Sequence, residues 1–330
     1  MLPLPGRART ALAQTLALPA MVLAGVMAGS AQADVQVLTT IKPLQLIATA
    51  ITDGVSQPDV LLAPGTSPHD YAMKPSDRRK LESAGLVVWV GPELEAFLSK
   101  PLAGVDARHV LNLADALGIA PAGAAHEDHD HDEHADHHDE ADHDKHADHD
   151  DDEGEEHHHH AYDPHIWTGP EQGLAIAEQL SQRLSTLDPD HAAQYQANLS
   201  RFQAAVADAD KQLVALLQPV AKQGYYVFHD GYGYFEKHYQ LNHLGEFTLN
   251  PERKPGARHL AEIRATLEQG KARCVFAEPQ FVPAVIDAIT DGLQIRRGTL
   301  DPLATAIPVS ANGYPAFLTD LGQQFASCLQ

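Results

Sequence analysis

The chain has 330 residues, with 45 acidic against 23 basic side chains and a formal net charge of −22 at pH 7. It carries no basic patch, so nucleic acid is not an expected partner. Its length suffices for two lobes, each expected to have a core of its own, once a leader and one low-complexity segment are set aside.

Arg7 and Arg9 precede an uncharged, largely apolar stretch from Ala11 to Ala28, and Ala31-Gln32-Ala33 gives the small-x-small cleavage pattern. Residues 1–33 therefore read as a cleavable signal peptide, with the mature chain starting at Asp34. Gln14, Thr15, Pro19 and the glycines make this stretch a poor spanning helix, and no Cys follows it to take a lipid. No other segment approaches the ~20 apolar residues that a span requires. An exported, soluble, monomeric protein is expected.

The mature chain alternates short apolar runs with helical patterns. Strand-like runs are Val35 to Ile41, Val60 to Ala63, Leu86 to Val90 and His109 to Leu111. Helices are expected over Leu44 to Ile51 and Ser76 to Ala84, the latter opening with Pro75-Ser76-Asp77 as its N-cap. Later strands are Tyr225 to Phe228, Leu244 to Thr248, Arg273 to Ala277 and Leu293 to Thr299, separated in part by helices over Gly256 to Gln269 and Val282 to Gly292. This alternation predicts an α/β fold of two lobes, each with a mainly parallel sheet of about four strands flanked by helices. Expected boundaries are 34–168 for the first lobe, 169–218 for a helical connector and 219–330 for the second lobe. Within the connector, Asp188-Pro189 starts a pattern in which Tyr195, Leu199, Phe202, Val206, Ala209, Leu213 and Leu216 recur every three or four residues. That spacing predicts one helix over 189–217, roughly 44 Å long at 1.5 Å per residue.

Residues 126–160 stand apart. They hold His126, His129, His131, His134, His137, His138, His143, His146, His149, His157, His158, His159 and His160, 13 of the chain's 21 histidines, among 17 Asp or Glu and a single Lys. Without apolar side chains such a segment cannot offset its ordering entropy, so a disordered insertion is expected. Imidazole and carboxylate are ligands for borderline divalent cations, which makes the segment a set of weak auxiliary sites for a metal such as Zn²⁺. Two cysteines remain, Cys274 and Cys328; in an oxidising compartment they are expected to pair and tie the C-terminal helix to a strand of the second lobe.

Among the eight histidines outside that segment, three have telling positions. His69 follows the run Val60 to Ala63 and a Pro64-Gly65 turn, His229 stands at the carboxyl end of Tyr225 to Phe228, and His165 lies where the chain leaves the acidic segment. Ligands of open α/β sheets bind beyond the carboxyl ends of strands, so these residues can converge in a cleft between lobes. Asp301 also follows a strand and offers an oxygen. Three imidazoles with one carboxylate or water describe a tetrahedral zinc site.

Several motifs carry a resemblance that spans the mature chain. They are Ser67-Pro68-His69-Asp70-Tyr71, Leu86-Val87-Val88-Trp89-Val90-Gly91, Asp163-Pro164-His165-Ile166-Trp167, Phe228-His229-Asp230, Ala277-Glu278-Pro279-Gln280-Phe281 and Gly298-Thr299-Leu300-Asp301-Pro302. Together they resemble the zinc-specific periplasmic substrate-binding proteins of ABC transporters, the ZnuA type. The resemblance implies two α/β lobes joined by one long helix, with metal between them and His69, His165 and His229 as its ligands. Asp301 matches an aspartate that binds metal in manganese-binding relatives. It also implies delivery of periplasmic Zn²⁺ to a membrane permease driven by a cytoplasmic ATPase, and no enzymatic activity. One departure stands out: Pro68 occupies a position where several relatives have Glu, so a water or Asp301 must complete the coordination. Three readings compete with uptake: a periplasmic zinc buffer or metallochaperone without a transporter, a manganese-binding relative, and a three-histidine zinc enzyme. Against the last, the sequence has no His-Glu-x-x-His.

Overall fold

The computed structural model describes residues 34–120, 162–251, 253–281 and 284–330. The leader at 1–33 and the acidic segment at 126–160, with all thirteen of its histidines, lie outside the described residues. No helix among those described is long and apolar enough to cross a membrane.

Two four-stranded, wholly parallel sheets organise the chain. The first comprises β1 (Val37–Thr39), β2 (Asp59–Val60), β3 (Leu86–Trp89) and β4 (Val110–Asn112) in the order β2-β1-β3-β4. The second comprises β5 (Gly224–His229), β6 (His243–Thr248), β7 (Ala272–Ala277) and β8 (Arg296–Thr299) in the order β6-β5-β7-β8. The two orders are the same, so each sheet has a switch point between its first and third strands. The inner strands β3 and β5 are buried along their whole length, as strands covered by helices on both faces must be. The edges are short or charged: β2 has two residues and β8 exposes Arg296 and Arg297, which discourages pairing with another chain. The expected strand from Leu293 shortens to β8, because Gly292 at φ 74° and the Leu293 N–H to Thr290 bond spend those residues on a turn.

The helices are α1 (Lys42–Ile51), α2 (Pro75–Ser83), α3 (Ser99–Leu102), α4 (Leu113–Ala116), α5 (Pro170–Leu187), α6 (Ala192–Leu217), α7 (Gly233–Tyr239), α8 (Ala257–Glu268), α9 (Ala284–Thr290) and α10 (Gly313–Leu329). The start of α2 differs from expectation. Lys74 is the N-cap, Pro75 takes the first helical position, where no N–H is needed, and the Asp77 carboxylate turns back to accept the Lys74 N–H at 2.7 Å.

The long helix begins with a 3₁₀ turn at Pro189–His191 and continues as α6, packing against α1, α5 and α10. Its buried stripe is the predicted one with Leu217 in place of Leu216 and one polar insertion, Asn198. That side chain, 1% exposed, donates to the carbonyls of Ile51 and Asp53 and so pins α6 to the end of α1. Each fully buried Leu or Phe of the stripe contributes about 1.5–3 kcal/mol.

Because α1, which packs on β1 and β2, also packs on α6 and on α10, and α10 packs on β7 and β8, the lobes do not keep separate cores as expected. One apolar cluster runs from Val88 and Ile47 through Phe202 and Leu213 to Phe276 and Phe325. Smaller clusters cover the outer faces, around Val87 and Trp89 in the first lobe and around Phe247 and Ile263 in the second. Where α5 meets α10, a Cβ on Gly173 would stand 2.0 Å from the Tyr314 hydroxyl, so only glycine lets that ring cross.

Two links in the second lobe are open to test. Cys274 of β7 and Cys328 of α10 form a disulfide across 54 positions. Closing a loop of that size is worth about 4 kcal/mol in the chain-entropy view. Thiol titration of the denatured, unreduced protein should therefore find no free thiol, and reduction should lower the melting temperature by roughly 10 °C. The second link is Glu236 of α7, 7% exposed, which accepts from the Tyr225 hydroxyl and pairs with His243 Nδ1 at 3.1 Å. Burial alone would lower the His243 pKa, but Glu236 carries it up to about 9. A raised folded-state value stabilises fully below the unfolded value of about 6.5 and loses that contribution as pH rises through about 9. Replacing His243 by Gln should cost several degrees of melting temperature at pH 6 and little at pH 9.5; an unchanging gap would contradict the pairing.

Candidate metal centre

Each candidate ligand is delivered by a different kind of connection. His229 is the last residue of β5, at the β5/β7 switch point of the second sheet. His165 precedes the 3₁₀ turn Ile166–Thr168 that leads into α5. His69 lies in the loop from β2 to α2, after Gly65 at φ 80°.

The three rings meet. His165 Nε2 lies 3.3 Å from His69 Nε2 and 3.2 Å from His229 Nε2, with ring centroids 5.1–5.5 Å apart. A tetrahedron with Zn–N bonds of about 2.05 Å has edges of about 3.3 Å, which the two His165 distances match, and ligand atoms of all three residues lie within 4.8 Å of one another. His165 and His229 are buried, at 2% and 3% exposure, and His69 is partly so. Close approach demands a glycine here as well. A Cβ on Gly231 would stand 2.7 Å from His229 Nε2 and 3.4 Å from the His165 ring.

Two carboxylates set the rings. Asp163 accepts from His165 Nδ1 and from the His165 backbone N–H, both at 2.9 Å. Glu278, immediately after β7, accepts from His229 Nδ1 at 2.5 Å and from the Tyr232 hydroxyl at 3.0 Å. With Nδ1–H committed to oxygen, each of these rings presents its Nε2 lone pair to the centre. Burial lowers the His165 pKa despite Asp163, keeping that ring neutral. Burial also opposes charge on His229, but Glu278 outweighs it and raises the value. Asp163 runs the other way, held below its ordinary value by the His165 bonds against the pull of burial.

Asp301 is not part of this cluster. Its Oδ2 accepts the Thr305 N–H at 2.6 Å, and its Oδ1 accepts from Leu303 N–H, the Thr305 hydroxyl and Gln280 Nε2. Its role in the structure is to shape the 301–305 loop. That loop grips the first lobe, since Pro302 O accepts from Trp167 Nε1 at 2.7 Å and Thr305 O from Lys42 Nζ at 2.8 Å.

Other described histidines have local partners: His109 with the Gly85 carbonyl, His191 with Asp188, His238 with Asp210, His259 with the Glu246 carbonyl. Two further groups gather carboxylates around a histidine, Asp34–Asp188–His191 and Asp230–Glu236–His243. In both, a carboxylate beside the imidazole raises its pKa.

Sequence reading assigned no role to Asp163, Gly231 or Glu278. The signals were present: Asp163 stands two residues before His165, and Glu278 directly follows the strand beside the one that carries His229.

Similarity to known proteins covers nearly the whole chain. Residues 37–328 match the family described as Zinc-uptake complex component A periplasmic. A High-affinity zinc uptake system protein ZnuA from Yersinia pestis is 45% identical, over 90% of this chain and 92% of its own length. The protein of the same name from Haemophilus ducreyi is 48% identical, over 90% and 94%. Among solved structures, a crystal structure of ZnuA superposes with a TM-score of 0.70 at 24% identity, covering 90% of this chain and all of that one. The laminin-binding protein of Streptococcus agalactiae gives 0.68 at 19% identity, with the same coverage. These last two establish a common fold. The chain belongs to the family of periplasmic zinc-uptake complex A components.

Proposed function

We propose that this protein captures Zn²⁺ in the periplasm, holds it between its lobes on His69, His165 and His229, and delivers it to an ABC-type permease for import. The observation that carries the reading is the meeting of three imidazoles, with His165 Nε2 3.3 Å from His69 Nε2 and 3.2 Å from His229 Nε2, and two of the rings oriented by the carboxylates of Asp163 and the buried Glu278. A site of three imidazoles suits zinc, whereas manganese calls for more oxygen. Membership in an uptake family supports a transport role over the three-histidine enzyme. Residues 1–33 act in this reading as the export signal, removed after Ala33.

The histidine set is tested in a variant lacking residues 126–160, so that auxiliary ligands do not obscure the result. Replacing His69, His165 or His229 by Ala should weaken zinc binding by more than the 10–100-fold typical of outer-shell partners. The same change at His191 should leave affinity intact. A triple variant that still holds one zinc tightly would disprove the site.

The acidic segment is assigned a separate task. Its charge favours electrostatic capture of a dilute cation, but its ligands must be ordered at each binding event, so its sites are the weaker ones. Calorimetry should show that deleting residues 126–160 removes weak zinc sites and leaves one tight site per molecule. Loss of the tightest site on deletion would make the segment the primary one.

A further inference from the structure

Counted along the chain, His165 goes with the first lobe, but its surroundings tie it to the second. Three hydrogen-bonding groups fasten the segment 163–169 that presents it. Tyr234 of α7 donates its hydroxyl to Asp163 O at 3.0 Å, and Trp167 Nε1 donates to Pro302 O at 2.7 Å. The Tyr314 hydroxyl of α10 lies 3.0 Å from Trp167 O and 2.9 Å from Gly169 O. Each of these links ends on the second lobe, since α7 follows β5, the 301–305 loop follows β8, and the disulfide joins α10 to β7. The backbones are close as well: a Cβ on Gly233 would stand 2.8 Å from Asp163 Oδ2, and one on Gly169 would stand 2.8 Å from Tyr234 Cβ.

The first lobe grips the same helix at its far end. Arg183 of α5 donates to the carbonyls of Ala107, Arg108 and Val110 beside β4. Gly169 and Arg183 are roughly 20 Å apart along a helix at 1.5 Å per residue. Thus α5 spans both lobes, and His165 sits at the end fastened to the second. His69 is placed otherwise. The N–H groups of Leu61 and Leu62 donate to the carbonyls of Thr39 and Thr40, which ties the start of its loop to the end of β1. Its ring is partly exposed, whereas His165 and His229 are buried.

We propose that His165 and His229 form a half-site carried by the second lobe, on which zinc is first received and last held, and that His69 is the one ligand the first lobe adds or withdraws. The inference rests on the zinc reading above. The two Nε2 atoms stand 3.2 Å apart, and Asp163 and Glu278 fix both rings through Nδ1, so the pair keeps its geometry without help from the first lobe. Ligands ordered beforehand bind at little entropic cost, so loss of His69 weakens the hold on zinc while leaving the ion on the second lobe.

Zinc-dependent melting of the mature full-length protein tests this. A ligand bound alike by folded and unfolded chains does not move the transition, so the shift reports the built site, and the transition itself shows that each variant folds. His69→Ala should keep a zinc-dependent rise in melting temperature, reached at higher zinc than in the wild type. His165→Ala and His229→Ala, whose remaining ligands lie on opposite lobes, should need at least about tenfold more zinc than His69→Ala. Equal loss in all three variants, or the greatest loss in His69→Ala, would overturn the proposal. Lys42→Met removes a bond between the lobes; it should raise the zinc requirement of the wild type and leave that of His69→Ala unchanged, and a like rise in both would count against the half-site. Zinc-edge anomalous diffraction from the His69→Ala protein should place the metal within bonding reach of His165 and His229 Nε2, and a metal held elsewhere would refute it. Wild-type zinc response in all three variants is a different failure, that of the histidine site itself.

Discussion

Everything in the site depends on holding imidazole nitrogens 3.2–3.3 Å apart with lone pairs turned toward a common centre. Uncompensated, that arrangement is unfavourable, because it removes acceptors from water and faces them against each other. The carboxylates of Asp163 and Glu278 make it possible by taking the Nδ1 protons and fixing tautomer and ring rotation in two of the three rings. They differ in reach. Asp163 acts within one tight turn, while Glu278 acts across the sheet from β7 to β5. A shift between those strands would break the His229 bond, so the register of the second sheet is part of the binding geometry.

The frame around the site answers to the same demand. His69 comes from the β2–α2 loop and His229 from β5 of the other sheet, so their approach needs the two sheets held at fixed separation. Three features hold them: the α6 stripe, the continuous apolar cluster through α1, α6 and α10, and the 301–305 loop. That loop receives donors from Trp167 and from Lys42, the first residue of α1. Burial lowers the Lys42 pKa, with Asp301 opposing, so its ammonium is bound at some desolvation cost. The second lobe thus reaches the first through backbone carbonyls whose positions are set by Asp301.

The first sheet carries the same switch point and uses it differently. Beyond β1 and β3, where a doubly wound sheet receives its ligand, the buried Glu95 carboxylate takes the Thr40 hydroxyl and the N–H groups of Val90 and Gly91. Burial pushes its pKa up to about 7 despite those donors. One copy of a repeated topology presents a candidate metal ligand, His229, at its switch point, and the other fills it with its own side chain. Topology marks the location, and local residues decide its occupant.

Much of this was legible in the chain. Apolar runs with β-branched residues marked inner strands such as β3 and β5, because strands buried on both faces need nothing but apolar side chains, a rule that the exposed edge β8 with Arg296 and Arg297 does not follow. Spacing of three and four along Tyr195 to Leu213 determined the long helix. Position after a strand or turn singled out His69, His165 and His229. Periodicity carries no information about what lies across a gap, and three outcomes lay there. Asp301 follows a strand as His229 does, yet its oxygens are claimed by Thr305, Leu303 and Gln280, contacts with no signature in spacing. The merging of two expected cores into one depends on α10 returning to α1 and α6, a long-range packing that sequence separation hides. The pairing of Glu278 with His229 requires β7 to lie beside β5, 49 residues away, and only the assembled sheet decides that neighbour.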